Sequence, residues 1–240
     1  MTPARFSRQT FFPRGFSLIE LLVVVAIIGI LAALLLPGLG RAKASAQSAA
    51  CKGNLRQQAM ALRLYVDDFR RYLPDMYLHK QNYLGPYITP NPVPMNRGVF
   101  HCPAVRPVQL TGQVVTDPYG TFTYAYNDVG TDISGVRSLG LAGDFGAVQN
   151  LGLPESQVAV PADMIAVGDI GAWGTIWYHD RPLTPAQSWF FSLPVHDRGA
   201  NLAFCDSHVE FLAARKLEER SDTIRRRWNN DHQPHPETWR

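Results

Sequence analysis

Asp169, His196, Asp206 and His208 are the residues whose types could hold a divalent cation. Imidazole nitrogens mixed with carboxylate oxygens suit zinc or manganese better than calcium. Asp231, His232 and His235 offer further ligands near the C-terminus. A dense run of acidic and carbonyl ligands of the calcium-loop kind is missing from the sequence. The spacing does not force the four groups together, because adjacent residues of a strand face opposite sides. The simpler expectation is that His196 and Asp206 hydrogen-bond across a hairpin and fix its ends. Ser207 beside His208 does not read as nucleophile and base, since neighbours on a strand lack the required geometry. Cys205 has no catalytic context and reads as a packed strand residue. The sequence predicts no enzyme and no cofactor beyond an optional divalent ion.

Positioning such groups requires a sheet. Residues 201–205 and 208–212 predict two paired strands around a turn at Asp206-Ser207, with Leu202, Phe204, Val209 and Phe211 on the core face. Residues 164–167 predict a buried strand ending at Gly168-Asp169, and residues 99–103 a short one. Residues 114–116 and 121–126 read as a hairpin in which Phe122, Tyr124 and Tyr126 alternate on one face. Aromatics at period two indicate a half-buried strand rather than a base-stacking platform. Residues 75–110 read as loop with short extended pieces. The glycines between 130 and 157 lack a phosphate-binding spacing. Residues 213–228 predict a basic helix with Leu217, Ile224 and Trp228 on one stripe, followed by an irregular tail.

The N-terminal part has a different character. From Leu21 to Leu36 no side chain is polar, and back to Phe16 only Ser17 and Glu20 interrupt the run. At 1.5 Å per residue these 21 residues make about 31 Å of helix, close to the hydrocarbon thickness of a bilayer. The run is longer than a secretory signal core. A cleaved signal peptide is nonetheless the nearest competing reading, given the small residues at 44–46 and 48–50. Arg5, Arg8 and Arg14 precede the span, so the positive-inside rule keeps residues 1–15 cytoplasmic and places the remainder across the membrane. Without those three arginines the chain holds 20 basic and 20 acidic residues, which removes the support for nucleic-acid binding. Glu20 is the anomaly, because a carboxylate inside such a span costs on the order of 3 kcal/mol on insertion scales. Beyond Pro37 the helical pattern continues. Leu55, Ala59, Leu62, Val66 and Phe69 recur at spacings of four, three, four and three, forming one apolar stripe that ends before Pro74.

The stretch from Arg14-Gly15 through Phe16-Ser-Leu-Ile-Glu20 into the apolar run resembles the N-terminus of type IV prepilins and type II secretion pseudopilins. The resemblance implies cleavage by prepilin peptidase after Gly15 and N-methylation of Phe16. It implies that Glu20, fifth residue of the mature chain, pairs with the terminal amine of a neighbouring subunit during assembly. Pro37 matches the position where pilin helices bend. A second resemblance covers the C-terminal part. His196, nine intervening residues and Asp206 are similar to the His-x9-Asp-Gly domain of planctomycete and verrucomicrobial pseudopilin-like proteins, with Ser207 in place of the Gly. Residues 51–57, 100–103 and Tyr124-Ala-Tyr-Asn127 resemble the same group.

Together the resemblances imply an α+β, pilin-like lollipop: a leader at 1–15, a transmembrane helix at 16–37, and an amphipathic helix at 38–73. A globular antiparallel-sheet head at 74–240 carries a C-terminal helix and tail. The implied role is that of a structural subunit of a type II secretion or type IV pilus-like system. Its partners would be prepilin peptidase, further pseudopilins or copies of itself in a fibre, and an inner-membrane assembly platform. The implied location is the bacterial inner membrane, single-pass, with the head in the periplasm. The competing function is a membrane-anchored glycan- or substrate-binding protein that uses a pilin-type export signal. Three cysteines allow three pairings, and a fully reduced state is also open. With the head outside the cytoplasm, a Cys51–Cys102 bridge is expected, leaving Cys205 as the packed odd thiol.

Overall fold

The apolar run and the periodic segment after it form one helix, α1 (Leu18–Phe69), with Pro37 inside it. The computed structural model describes residues 17–74, 80–90, 98–104, 109–110, 113–114, 123–128, 130–131, 139–143, 151–171, 193–194, 196, 199–217, 219 and 221–238. The chain divides into two units, Met1–Lys43 and Ala44–Arg240. In the first, the large apolar side chains from Leu18 to Leu39 are all exposed. This helix is long and apolar enough to cross a membrane. In the second unit α1 buries Cys51, Leu55, Gln58, Ala59, Ala61, Leu62, Tyr65 and Val66. Phe69 departs from the expected stripe and lies outside the core, its ring 4.6 Å from that of Tyr65. The helix stops there, short of Pro74. Arg70 turns to φ 56°, and Tyr72 N–H donates to the Leu153 carbonyl, which draws the chain out of the helix.

After α1 come α2 (Lys80–Ile88), β1 (Gln109–Leu110), β2 (Gln113–Val114), β3 (Ala125–Tyr126) and β4 (Ile165–Gly168). They are followed by β5 (Ile170–Gly171), β6 (Leu193–Pro194), β7 (Gly199–Phe204), β8 (Val209–Ala213), α3 (Ala214–Leu217) and α4 (Asp222–Arg225). The principal sheet is antiparallel with the order β3-β4-β7-β8, while β1-β2 and β5-β6 are separate two-stranded pairs. This is an α+β, pilin-like combination of a long N-terminal helix and an antiparallel sheet.

Both faces of the principal sheet are covered. One contributes Tyr124, Tyr126, Val167 and Ala203 to a core shared with Leu55, Leu62 and Val66 of α1. The other packs Ala125, Ile165, Leu202, Phe204 and Leu212 against Trp228. The residues flanking β3 are therefore buried on both sides rather than half-buried. Tyr126 also fixes the chain after α1, its hydroxyl accepting from the Leu73 N–H at 3.0 Å.

Several expectations are corrected. Residues 80–88 form a helix despite Gly85 and Pro86, because Leu84 is buried and the Tyr83 and Tyr87 rings lie edge-on to Tyr65. Tertiary packing overrides weak local propensity here. Residues 98–100 form a 3-10 turn and not a strand. In the expected hairpin, residues 115–122, including Phe122, lie outside the described residues. Val114 pairs with Gln109, whereas Tyr126 pairs with Val167, so the two arms belong to different sheets. The expected C-terminal helix breaks into α3, α4 and a 3-10 turn at Arg226–Trp228. Ser221 before α4 is extended, at φ −106° and ψ 147°, so no helix passes through it.

The β7–β8 hairpin has the expected strands and a different register. Phe204 N–H donates to the His208 carbonyl and Ser207 N–H to the Phe204 carbonyl, so Cys205, Asp206 and Ser207 form a three-residue connection. Ala203 then faces Val209 and Leu202 faces Glu210. A one-residue change of register exchanges the faces of an entire strand. Leu212 consequently joins Leu202 and Phe204, while Val209 packs on the α1 side and Phe211 is exposed. Ser207 adopts φ 75°, as the last residue of such a connection requires.

Candidate functional site

In the first unit, the described part of the N-terminal motif begins at Ser17. Ser17 Oγ accepts from the Ile19 N–H at 3.3 Å, and Glu20 Oε2 accepts from the Ser17 N–H at 2.9 Å. These reciprocal bonds form a capping box, which satisfies donors that a helix start leaves unpaired. An acidic group in the first turn also complements the helix dipole. Glu20 thus has a local task within one chain, and its side chain is exposed. Gly15 and Phe16 lie outside the described residues.

In the second unit the candidate residues separate into two pairs. Asp206 Oδ1 accepts from the His208 N–H and lies 2.6 Å from His208 Nδ1, at the exposed β7–β8 connection. The His208 ring stacks on Phe204 with centroids 4.2 Å apart. Asp169 and His196 are buried instead, with His196 Nε2 2.9 Å from Asp169 Oδ2. His196 therefore pairs with Asp169 and not with Asp206, correcting the expected cross-hairpin bond. The four groups do not converge, because Asp169 and His196 stand at the start of β7 and the other two beyond its end. His232 and His235 also have acidic neighbours: His235 lies between Asp231 and Glu237. Burial opposes its charged form, but those two carboxylates outweigh burial and raise its pKa above the ordinary value.

The buried pair is built by backbone geometry. His196 and Gly199 exchange two backbone hydrogen bonds as an isolated bridge, which turns the chain into β7. Asp169 follows β4 directly, and its N–H donates to the Asn201 carbonyl. Asn201 answers with its backbone N–H to Asp169 Oδ1 and its side-chain amide to Oδ2, both at 2.6 Å. A buried carboxylate needs such donors to be tolerated. His196 Nε2 also lies 3.5 Å from Cys102 Sγ, and Cys102 is bridged to Cys51 with a Cα separation of 5.3 Å. The two sulfurs, the imidazole nitrogen and a carboxylate oxygen all lie within 4.8 Å of one another.

The bridge is the centre of a seam along α1. Gln47 donates to the Pro103 carbonyl, Asn54 to the His101 carbonyl and Gln58 to the Val99 carbonyl, at 2.8–3.1 Å. Gln47, Cys51, Asn54 and Gln58 are spaced four, three and four apart, so they form one helical stripe. Apolar periodicity does not reveal this polar stripe, although its spacing is present in the sequence. Cys102 N–H donates to Thr123 Oγ1, linking the seam to the segment before β3. Asn127 belongs to the same framework. Its amide donates to the carbonyls of Ile165 and Trp228, and its oxygen accepts from Gly130 N–H.

Cys205 is a buried free thiol. Burial pushes its pKa up to about 12, against the opposing hydrogen bond from Tyr72. It is therefore protonated at neutral pH and a poor nucleophile.

The prokaryotic N-terminal methylation motif matches residues 13–36 of the chain. Over 72 residues the chain is 41% identical to the type IV major pilin protein PilA of Myxococcus xanthus. That stretch covers 30% of this chain and 31% of the relative, so the chain spans about a third of the length of the curated relative it matches. No solved structure matches the chain. Over its N-terminal segment the chain is similar to type IV prepilins.

Proposed function

We propose that the protein is a structural, pseudopilin-like subunit of a type II secretion or type IV pilus-like envelope system. The observation that carries this reading is the coincidence of the methylation motif at 13–36 with an exposed apolar helix. That apolar run carries one charged side chain, Glu20, in the first turn of α1. A helix of this kind serves both lipid and helix–helix packing, since its apolar side chains are exposed among the described residues. Prepilin peptidase cleaves between Gly15 and Phe16, and the new terminal amine of Phe16 is methylated. The helix anchors the protein in the inner membrane with residues 1–15 cytoplasmic and the head on the periplasmic side. Assembly with other pseudopilins or further copies, through an inner-membrane platform, then pairs Glu20 with a neighbour's terminal amine.

The arrangement of the head supports a non-catalytic role. Its one free cysteine among the described residues is protonated, and the Asp169–His196 pair is closed by Asn201 and the disulfide. Mass spectrometry of the mature N-terminus tests the reading. A chain beginning at methylated Phe16 is expected. A chain beginning at Met1, or near residue 47 or 51, would overturn it.

A further inference from the structure

We propose that the reduced form of the head holds one zinc ion between Cys51 Sγ, Cys102 Sγ, His196 Nε2 and an Asp169 carboxylate oxygen. These atoms come from four separate stretches of chain and meet within 4.8 Å. Zinc bonds of about 2.0 Å to nitrogen or oxygen and 2.3 Å to sulfur put tetrahedral ligands roughly 3.3–3.8 Å apart. His196 Nε2 is already 3.5 Å from Cys102 Sγ and 2.9 Å from Asp169 Oδ2. Once the S–S bond is broken, the sulfurs must separate to about 3.8 Å, a movement that side-chain rotation can supply. Soft thiolates with imidazole in a closed tetrahedral set select zinc over magnesium or calcium.

Burial supports the same ligand set. Cys51, Cys102 and Asp169 are fully buried and His196 is 5% exposed, the environment of a structural and not a catalytic zinc. Asn201 holds both carboxylate oxygens of Asp169, which supplies the outer support that orients a metal-binding carboxylate. Zinc with two thiolates, an imidazole and a carboxylate carries only one net negative charge, which suits a buried site.

The exchange balances with a dithiol as reductant. The S–S bond accepts two electrons and becomes two thiolates that bind zinc. The dithiol closes to its own disulfide and releases two protons to solvent. His196 binds the metal through the Nε2 lone pair, in the tautomer that carries its proton on Nδ1. Zinc then joins α1 to the 98–104 segment as the disulfide does and adds the ends of β4 and β7 to the link. The head thereby keeps the seam closed whenever the bridge is reduced.

The test uses the full chain in detergent micelles, reduced by a water-soluble phosphine without oxygen and titrated with cobalt(II) and zinc(II). One equivalent of cobalt per chain is expected, with thiolate-to-cobalt charge-transfer absorption and the visible bands of a tetrahedral ion. Zinc should displace the cobalt. The disulfide form should show neither band. His196→Ala and Asp169→Asn should each weaken binding at least tenfold, with retained circular dichroism reporting the fold. In the unaltered chain, zinc should raise the melting temperature of the reduced form and leave that of the oxidised form unchanged. No cobalt uptake by the reduced chain would overturn the proposal. So would undiminished affinity in a folded His196→Ala chain, or equal binding by oxidised and reduced protein.

Discussion

The two units of the chain handle polar groups in opposite ways. In the first, an exposed apolar helix carries a single carboxylate, and that carboxylate caps its own helix start. In the second, polar side chains are numerous and many are buried, but they are tied to backbone groups on other elements. The first unit leaves its apolar surface exposed. The second completes itself, with Asn127, Asn201 and Gln58 linking stretches of chain that are distant in sequence. Substitutions in the two units should therefore be read by different assays: membrane retention and multimer formation for the first, cooperative melting for the second.

The largest effect is expected at Gly152. It adopts φ 74°, and a Cβ there would stand 2.0 Å from the Tyr72 carbonyl oxygen. That oxygen belongs to backbone and cannot swing aside. Gly152→Ala should destabilise the head by about 4 kcal/mol or more, measured by denaturant unfolding of the full chain in micelles. Membrane retention should not change. An unfolding midpoint within error of the parent would show that the junction after α1 yields easily, and the self-completed picture of the head would fail.

Loss of the bridge comes next. Cys51 and Cys102 are 51 residues apart, and a loop of that size contributes roughly 2–4 kcal/mol. Metal-free Cys51→Ser/Cys102→Ser protein should unfold at lower denaturant by that amount and still insert in the membrane. An unchanged midpoint would mean that the hydrogen bonds of Gln47, Asn54 and Gln58 hold the seam unaided.

The first unit follows from composition and spacing, because an apolar span with a basic leader needs no tertiary information. In the second unit, local pattern also shows the stripe from Leu55 to Val66 and strands at 164–167, 201–205 and 208–212, which the structure places at 165–168, 199–204 and 209–213. The partner of His196 was not readable in this way, since Asp169 reaches it only through the bridge between His196 and Gly199 and the pairing of β4 with β7. The helix at 80–88 was hidden by Gly85 and Pro86, whose local cost is offset by Leu84 and two tyrosines packing on other elements. The facing of β8 depended on one residue of loop length, which the letters Asp206-Ser207 do not decide.

Glu20 tests the first unit. Glu20→Ala removes the capping carboxylate and the one charge of the apolar run, so insertion should persist or improve. If assembly pairs this carboxylate with a neighbour's amine, crosslinked multimers should fall at least tenfold, which about 1.4 kcal/mol of lost pairing suffices to produce. Normal multimers from the substituted chain would confine Glu20 to its capping role.

The smallest effect, and the finest test of the second unit, is at Ser207. Its φ of 75° costs an ordinary residue about 1–2 kcal/mol relative to glycine. Its hydroxyl compensates by donating to the Ala59 carbonyl of α1 at 3.2 Å, and a net hydrogen bond is worth about 1 kcal/mol. Ser207→Gly removes strain and bond together, so its stability should stay within about 0.5 kcal/mol of the parent, the two terms cancelling. Ser207→Ala keeps the strain and loses the bond, so it should be about 1 kcal/mol less stable than the parent. The order of unfolding midpoints, with Ser and Gly nearly equal and Ala below both, distinguishes this account from one in which the connection is merely exposed loop. Equal midpoints for all three would show that neither the backbone angle nor the contact with α1 carries weight. A midpoint for Ser207→Gly well above the parent would show strain without compensation.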